Sequence, residues 1–310
     1  MMMKEMSPAD RLAGLRRFAI AITAFNVLGH TVFGFEQAWI QPFVGIGSAY
    51  ACELVLELID CYTQKRKPRF MGGWRTVVDF FLSAHITGLA VAMLLYTNTR
   101  LLPIAFAAAV AITSKALFRV ACPNGTRHFL NPSNFGITVT LLLFAWVGIA
   151  PPYHFTENIH GWGSWILPAA IVCSGSLLNT FVTKRILVAL GWISGFFVQA
   201  VFRNLVFDTP LTLAVLPMTG VAFVLFTFYM VTDPATTPGT RQRQFLFGAA
   251  VAAVYGLLVM SHIVFGFFFS LTLVSFTRGA SIYASNLLKQ TVMRKAPAQA
   301  TMASAKEMAG

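Results

Sequence analysis

Three carboxylates stand out in a largely apolar stretch, "CELVLELIDC", where Glu53, Glu57 and Asp60 follow one another at i, i+4 and i+7. That spacing puts all three on one face of a helix. An ionised group at membrane depth is costly to desolvate and as a rule faces a cavity or a partner. Three readings of Glu53 and Glu57 are open: a cation or proton path, structural pairing, or a helix end displaced toward water. Asp60 lies beside a basic run and has Lys65 or Arg66 as natural partners, while Asp79 has Arg75 within reach at the start of its own run. His30 and His85 fall at similar depths on their helices, a spacing that permits a bis-histidine haem, but two histidines acting as hydrogen-bonded structural groups are the simpler reading and haem is not expected. Cys52, Cys61, Cys122 and Cys173 have no CxxC spacing, and His154 and His160 have no companion ligands, so no metal or disulfide site is expected. The cysteines read as small buried hydrophobes.

Two polar interruptions carry a different chemistry. In "FLNPSNFGI", residues 129–137, Asn131 is placed to cap a helix with Pro132 at its first position, next to Ser133 and Asn134. In "VTDPATTPGTRQR", residues 231–243, Asp233 and Pro234 end one helix, because proline cannot continue it. Thr236 or Thr237 is then expected to cap the next, with Pro238 in its first turn and Arg241 and Arg243 close behind. A helix start with free N–H groups, hydroxyls and arginines suits a phosphate or another anion. Each interruption is equally readable as a well-made cap with arginines obeying the positive-inside rule.

The elements that must hold these groups are membrane helices. Of 310 residues 56% are hydrophobic and 11% charged, with mean hydropathy +0.68. Apolar runs recur at residues 18–35, 39–59, 77–96, 101–117, 135–149, 165–182, 186–206, 211–231, 245–261 and 264–283, about ten in all, each read as a transmembrane helix. The first follows Arg16 and Arg17 like a signal peptide but has no small-residue cleavage site after it, and reads as a retained helix. The expected fold is therefore all-α and polytopic: a cytoplasmic segment at 1–17, a transmembrane domain at 18–288 and a disordered cytoplasmic tail at 289–310. Basic residues concentrate in alternate connections, from Lys4, Arg11, Arg16 and Arg17 through Lys65 to Arg75, Lys115 to Arg127, Lys184 and Arg185, Arg241 and Arg243, to Lys289, Arg294, Lys295 and Lys306. The positive-inside rule then places both termini in the cytoplasm and the chain in the inner, cytoplasmic membrane. The same distribution accounts for the net charge of +12 without nucleic acid. Trp39, Trp162, Trp165 and Trp74 fit interfacial belts, and Gly191 and Gly195 fit close helix packing.

"FLNPSNFGI" and "FYMVTDPATTPGTRQRQFLFGAAVA" resemble the cytoplasmic motifs of the RnfD/NqrB family, the large membrane subunits of Rnf complexes and of sodium-translocating NADH:quinone reductases. The resemblance covers about residues 115–279 and matches in motif order and in the count of ten crossings. It implies flavin chemistry, electron transfer across the membrane coupled to cation movement, and redox partner subunits. Family members attach FMN to a threonine in an outer-side Ser-x-x-Thr motif; here the corresponding connection, 151–164, holds only Thr156 in unsuitable surroundings, and "SGSLLNT" at 174–180 lies within a helix. Covalent FMN is therefore not expected, and the resemblance implies instead a non-covalent riboflavin or FMN near Asn131, Ser133, Asn134, Asp233, Thr236, Thr237 and Arg241. The N-terminal "NVLGHTVFGFEQAWIQP" is also similar to single-chain RnfD-like proteins of enediyne biosynthetic pathways.

Three functions follow as expectations: an electron-transfer protein of this type with Glu53 and Glu57 on an ion path, a transporter that keeps the fold without redox chemistry, or a structural subunit recruiting soluble partners through its basic loops. No side chain suggests hydrolysis, so any enzymatic activity would be redox and belong to a cofactor.

Overall fold

A computed structural model describes residues 8–122, 125–151, 155 and 157–307, with side chains over 12–122, 125–151, 155 and 157–288. Lys4, His154, Thr156 and the side chains of Arg11, Lys289, Arg294, Lys295 and Lys306 lie outside the described residues. The elements run α1 (Pro8–Leu28), α2 (Ile40–Gln64), α3 (Trp74–Leu94), β1 (Leu95–Tyr96), α4 (Leu102–Leu117), β2 (Arg119–Cys122), β3 (Gly125–His128), α5 (Pro132–Leu143), β4 (Gly148–Ile149), α6 (Gly163–Leu177), α7 (Ile186–Phe207), α8 (Leu211–Val215), α9 (Val221–Leu225), α10 (Arg241–Met260) and α11 (Gly266–Glu307).

Every one of the ten apolar runs is helical, but they are not equivalent. Among the described residues six helices are long and apolar enough to cross a membrane: α1 with its continuation to Phe33, α2, α3, α6 with its continuation to Val182, α7 and α10. The eighth run is broken. Leu211–Thr219 and Val221–Met230 meet at 67°, where Pro217 lacks an N–H to extend the ladder and Gly220 takes an extended conformation. The fourth and fifth runs form helices of 16 and 12 residues, about 24 and 18 Å long at 1.5 Å per residue, less than a full hydrocarbon core. At one end they are joined by the β2–β3 hairpin. At the other, β1 pairs with β4, so that the chain leaving α3 is stitched to the chain leaving α5. The last run opens α11.

Helices approach closely where glycine allows it. A Cβ on Gly248 would lie 2.6 Å from the Trp192 nitrogen, and one on Gly195 2.8 Å from the Ala252 methyl, so α7 and α10 touch along their backbones as expected for Gly191 and Gly195. Beside this seam the core is aromatic. Trp192, fully buried, packs on Phe196, Phe226, Tyr255 and Phe267 and donates its indole N–H to Thr227 Oγ1 at 3.0 Å. Trp39, Trp74, Trp162 and Trp165, expected in interfacial belts, are all exposed.

Among the described residues three helices end in single π-helical turns, Gly29–Phe33, Leu178–Val182 and Phe226–Met230. The wider ladder of such turns leaves backbone groups for other partners. Asn179 uses this: its amide donates to the carbonyls of Gly175 at 2.9 Å and Phe228 at 2.7 Å, tying the second π turn to the third.

Candidate functional site

All three π turns border a single cavity of about 2460 Å³, walled by α1, α2, α3, the α4 end, α6, the two interruptions and α11. It runs the length of α3, from Thr76 and Asp79 to Met93 and Leu94. One end is basic and open. The other closes on Phe33 and Phe25, whose ring meets the buried Phe35 edge-on at 5.4 Å between centroids, as Phe35 in turn meets the buried Phe155 at 5.3 Å. On the long wall Phe18 of α1 stacks on Tyr229 of the third π turn at 5.3 Å and 10°, and the Tyr229 hydroxyl meets Ser174 Oγ at 2.9 Å.

The two interruptions come together at the basic end. Asn131 caps α5, its side-chain oxygen accepting from the Asn134 N–H at 3.0 Å and from the Ser133 hydroxyl at 3.0 Å, with Pro132 in the first turn. Its amide donates across to the Met230 carbonyl at 3.3 Å and to Asp233 Oδ2 at 3.4 Å. Asp233 then organises its own turn: Oδ1 accepts from the Ala235 N–H at 2.9 Å, Oδ2 from the Thr236 hydroxyl at 3.2 Å, and its carbonyl from the Thr237 hydroxyl at 2.7 Å. Thr236 and Thr237 therefore close the preceding turn rather than cap the next helix; α10 begins at Arg241, with Thr240 before it and no side-chain cap. The reason is proximity: Asp233 already holds both hydroxyls three and four residues on, and Pro238 and Gly239 intervene before the helix can start.

Of the residues expected around a flavin, Asn131, Ser133, Asp233 and Thr237 line the cavity, whereas Asn134, Thr236 and Arg241 do not. Asn134 is spent on the Phe268 carbonyl at 3.0 Å and Thr272 at 2.8 Å, tying α5 to α11, and Arg241 is exposed. The lining members bond mainly to one another and form a brace between the two chain breaks.

The carboxylate stripe faces the same cavity and is ion-paired. Lys115 of α4 donates to Glu53 Oε2 at 2.6 Å and to Ser83 at 3.3 Å, with side chains 14% and 15% exposed for the lysine and glutamate. Glu57 is fully buried between two guanidiniums, accepting from Arg66 at 2.7 and 3.0 Å and from Arg69 Nε at 2.8 Å, with the Arg69 backbone N–H at 2.7 Å. Arg66 also pairs with Asp60, as expected. These two acids hold the Arg66 guanidinium above its ordinary pKa. Asp79 pairs not with Arg75 but with Arg16 of α1, in a two-pronged contact at 2.8 and 2.7 Å, because α1 packs along α3 and brings its arginine opposite the carboxylate.

The histidines do not face each other. Both ring nitrogens of His85 are engaged, Nε2 with Thr23 at 2.7 Å and Nδ1 with Tyr50 at 2.9 Å, while His30 Nδ1 meets the Asn26 carbonyl at 2.9 Å. Among the described residues no three His, Cys, Asp or Glu groups gather as metal ligands. All four cysteines are free; Cys61 is buried, but Cys173 is exposed.

Sequence reasoning missed the cations that complete the site. Lys115, Arg185 and Arg278 were read as loop charges or as an isolated arginine in the last helix, yet all three line the cavity. For Arg278 the signal was present, since an arginine inside an apolar run is itself a marker. No family model and no curated protein matches the chain.

Proposed function

We propose that the chain is a carrier of the cytoplasmic membrane, crossing it about ten times with both termini inside, whose cavity opens to the cytoplasm and takes a large, partly apolar anion. The observation that supports this reading is the cavity itself. Small-molecule sites usually enclose about 300–1,000 Å³; this one is larger at about 2460 Å³, extends along a whole membrane helix and ends on an aromatic plug. A basic mouth and an apolar interior suit a molecule with an anionic end and a hydrocarbon or aromatic body. A role beside natural-product export or self-protection agrees with the resemblance of the N-terminal segment.

A second reading, an RnfD/NqrB-type electron-transfer protein with redox partner subunits, is favoured by the juxtaposition of the two motifs through Asn131 and Asp233. In that case a flavin bound without a covalent link would supply the redox chemistry and the chain its placement.

Two measurements separate the readings. A colourless, well-folded sample that takes up no flavin on incubation supports the carrier; a flavin spectrum released by acid overturns it in favour of the second reading. A single cysteine at Met93, in a background lacking the four native cysteines, is then treated with an impermeant maleimide. Labelling from the basic side, and more slowly from the opposite side as the plug opens, is expected. Labelling from the basic side alone over hours sinks the carrier.

A further inference from the structure

The charges around the cavity do not balance. Among the described residues ten basic side chains line it against five acidic ones. Four of those acids, Glu53, Glu57, Asp60 and Asp79, are already held in ion pairs. The fifth, Asp233, has its carboxylate oxygens committed to Ala235, Thr236 and Asn131. Two arginines near it, Arg185 at the start of α7 and Arg278 in α11, are in no ion pair among the described residues. Arg278 spends one N–H on the Thr236 carbonyl at 2.7 Å. Arg185 is pinned through its backbone N–H to the Asn179 carbonyl at 2.7 Å, while its side-chain Nε is buried without a hydrogen-bond partner.

We propose that Arg185 and Arg278 form a binding site for a phosphate group at the mouth of the cavity, with Arg127 of the β3 strand beside them. Guanidinium forks from separate elements line the same cavity there, and a planar guanidinium binds phosphate oxygens two at a time. A buried guanidinium N–H without an acceptor is unfavourable, and an anion supplies the acceptor. Electrostatics agree: burial pulls the Arg185 guanidinium below its ordinary pKa and the neighbouring Arg127 and Arg278 add to this, against the opposing pull of Asp233. The site differs from the one expected in the sequence, where Arg241 and Arg243 were to supply the charge; both are exposed and neither lines the cavity.

The inference deepens the carrier reading by naming the anionic end of the occupant, but its test does not require transport. The purified protein is unfolded thermally, with inorganic phosphate and with chloride at matched ionic strength, as wild type, Arg185→Gln, Arg278→Gln and the control Arg241→Gln. Phosphate is expected to raise the midpoint of wild type and of Arg241→Gln by several degrees and to leave Arg185→Gln and Arg278→Gln unmoved. In chloride, Arg185→Gln is expected to be at least as stable as wild type, since it removes an uncompensated charge. A purely structural arginine would instead give a variant less stable in both salts. Should Arg185→Gln fail to fold, Arg185→Lys keeps the charge but loses the fork and is expected to keep only part of the shift. To separate free phosphate from a lipid headgroup, wild type is compared in nanodiscs of phosphatidylglycerol and of phosphatidylcholine. Saturation by phosphatidylglycerol, with no further response to inorganic phosphate, assigns the site to a lipid; an undiminished phosphate response in both assigns it to a soluble phosphate. Equal midpoints of wild type in phosphate, chloride and both lipids overturn the proposal, whatever the transport result.

Discussion

At the residue scale, four acids lining the cavity are each paired with a cation, Glu53 and Asp79 with one from another helix and Glu57 and Asp60 with arginines of the connection that follows their own. Glu53 belongs to α2 and Lys115 to α4, and their contact at 2.6 Å lies in the cavity wall. Removing one partner strands the other charge. Lys115→Met is expected to lower stability, by less than the roughly 3–5 kcal/mol typical of breaking a fully buried pair, because both side chains keep some exposure. Adding Glu53→Gln is expected to restore most of the loss, which a double-mutant cycle of thermal midpoints reads directly. If instead Glu53 carries cations, Glu53→Gln alone abolishes ion-dependent activity while the double variant folds normally and stays inactive. The arrangement around Glu57 leaves less room for that role, since both its oxygens are taken by Arg66 and Arg69.

At the element scale, glycine placement decides which helices come together. Gly248 of α10 faces the backbone of α7, with the Trp192 nitrogen 2.6 Å from where a Cβ would sit, whereas Gly47 of α2 has nothing within 4 Å. The same substitution therefore has opposite signs. Gly248→Ala is expected to destabilise by about 1–3 kcal/mol through overpacking. Gly47→Ala is expected to stabilise by up to about 1 kcal/mol through helix propensity. Unfolding midpoints in one detergent check both, and a seam that tolerates Gly248→Ala without loss would mean α7 and α10 are held elsewhere. The brace between the interruptions belongs to this scale too. Asn131→Ala removes the α5 cap and the link to Met230 and Asp233 together, and is expected to cost about 1–2 kcal/mol from the cap alone. Asn131→Asp keeps the cap acceptor but loses the donor, so a midpoint between those of wild type and Asn131→Ala is the expected result.

For the whole molecule, the basic cavity mouth and the positive-inside rule make one topological statement. Cysteines replacing the exposed Lys67 and Gly239 are expected to react with an impermeant maleimide from the cytoplasmic side, and those replacing Thr99 and Trp162 from the other. Reaction of Trp162→Cys from the cytoplasmic side would remove the proposed orientation, and with it the direction in which the cavity opens.

The sequence by itself determined the membrane class, the helical nature of all ten apolar runs, the Asn131 cap and the chain break at Asp233 and Pro234. Those features are local: hydrophobic length, a missing N–H in proline and a side-chain oxygen reaching three residues ahead act the same way wherever the helix is placed. Tertiary structure decided the partners. Asp79 took Arg16 rather than its neighbour Arg75, Glu53 took Lys115 from another helix, and Asp233 turned inward on Thr236 and Thr237, leaving Arg185 and Arg278 without a carboxylate partner among the described residues. An ion pair or a cavity forms between elements far apart in the chain, so its composition depends on which helix faces meet. Residue spacing along one helix names the face but not what stands opposite it.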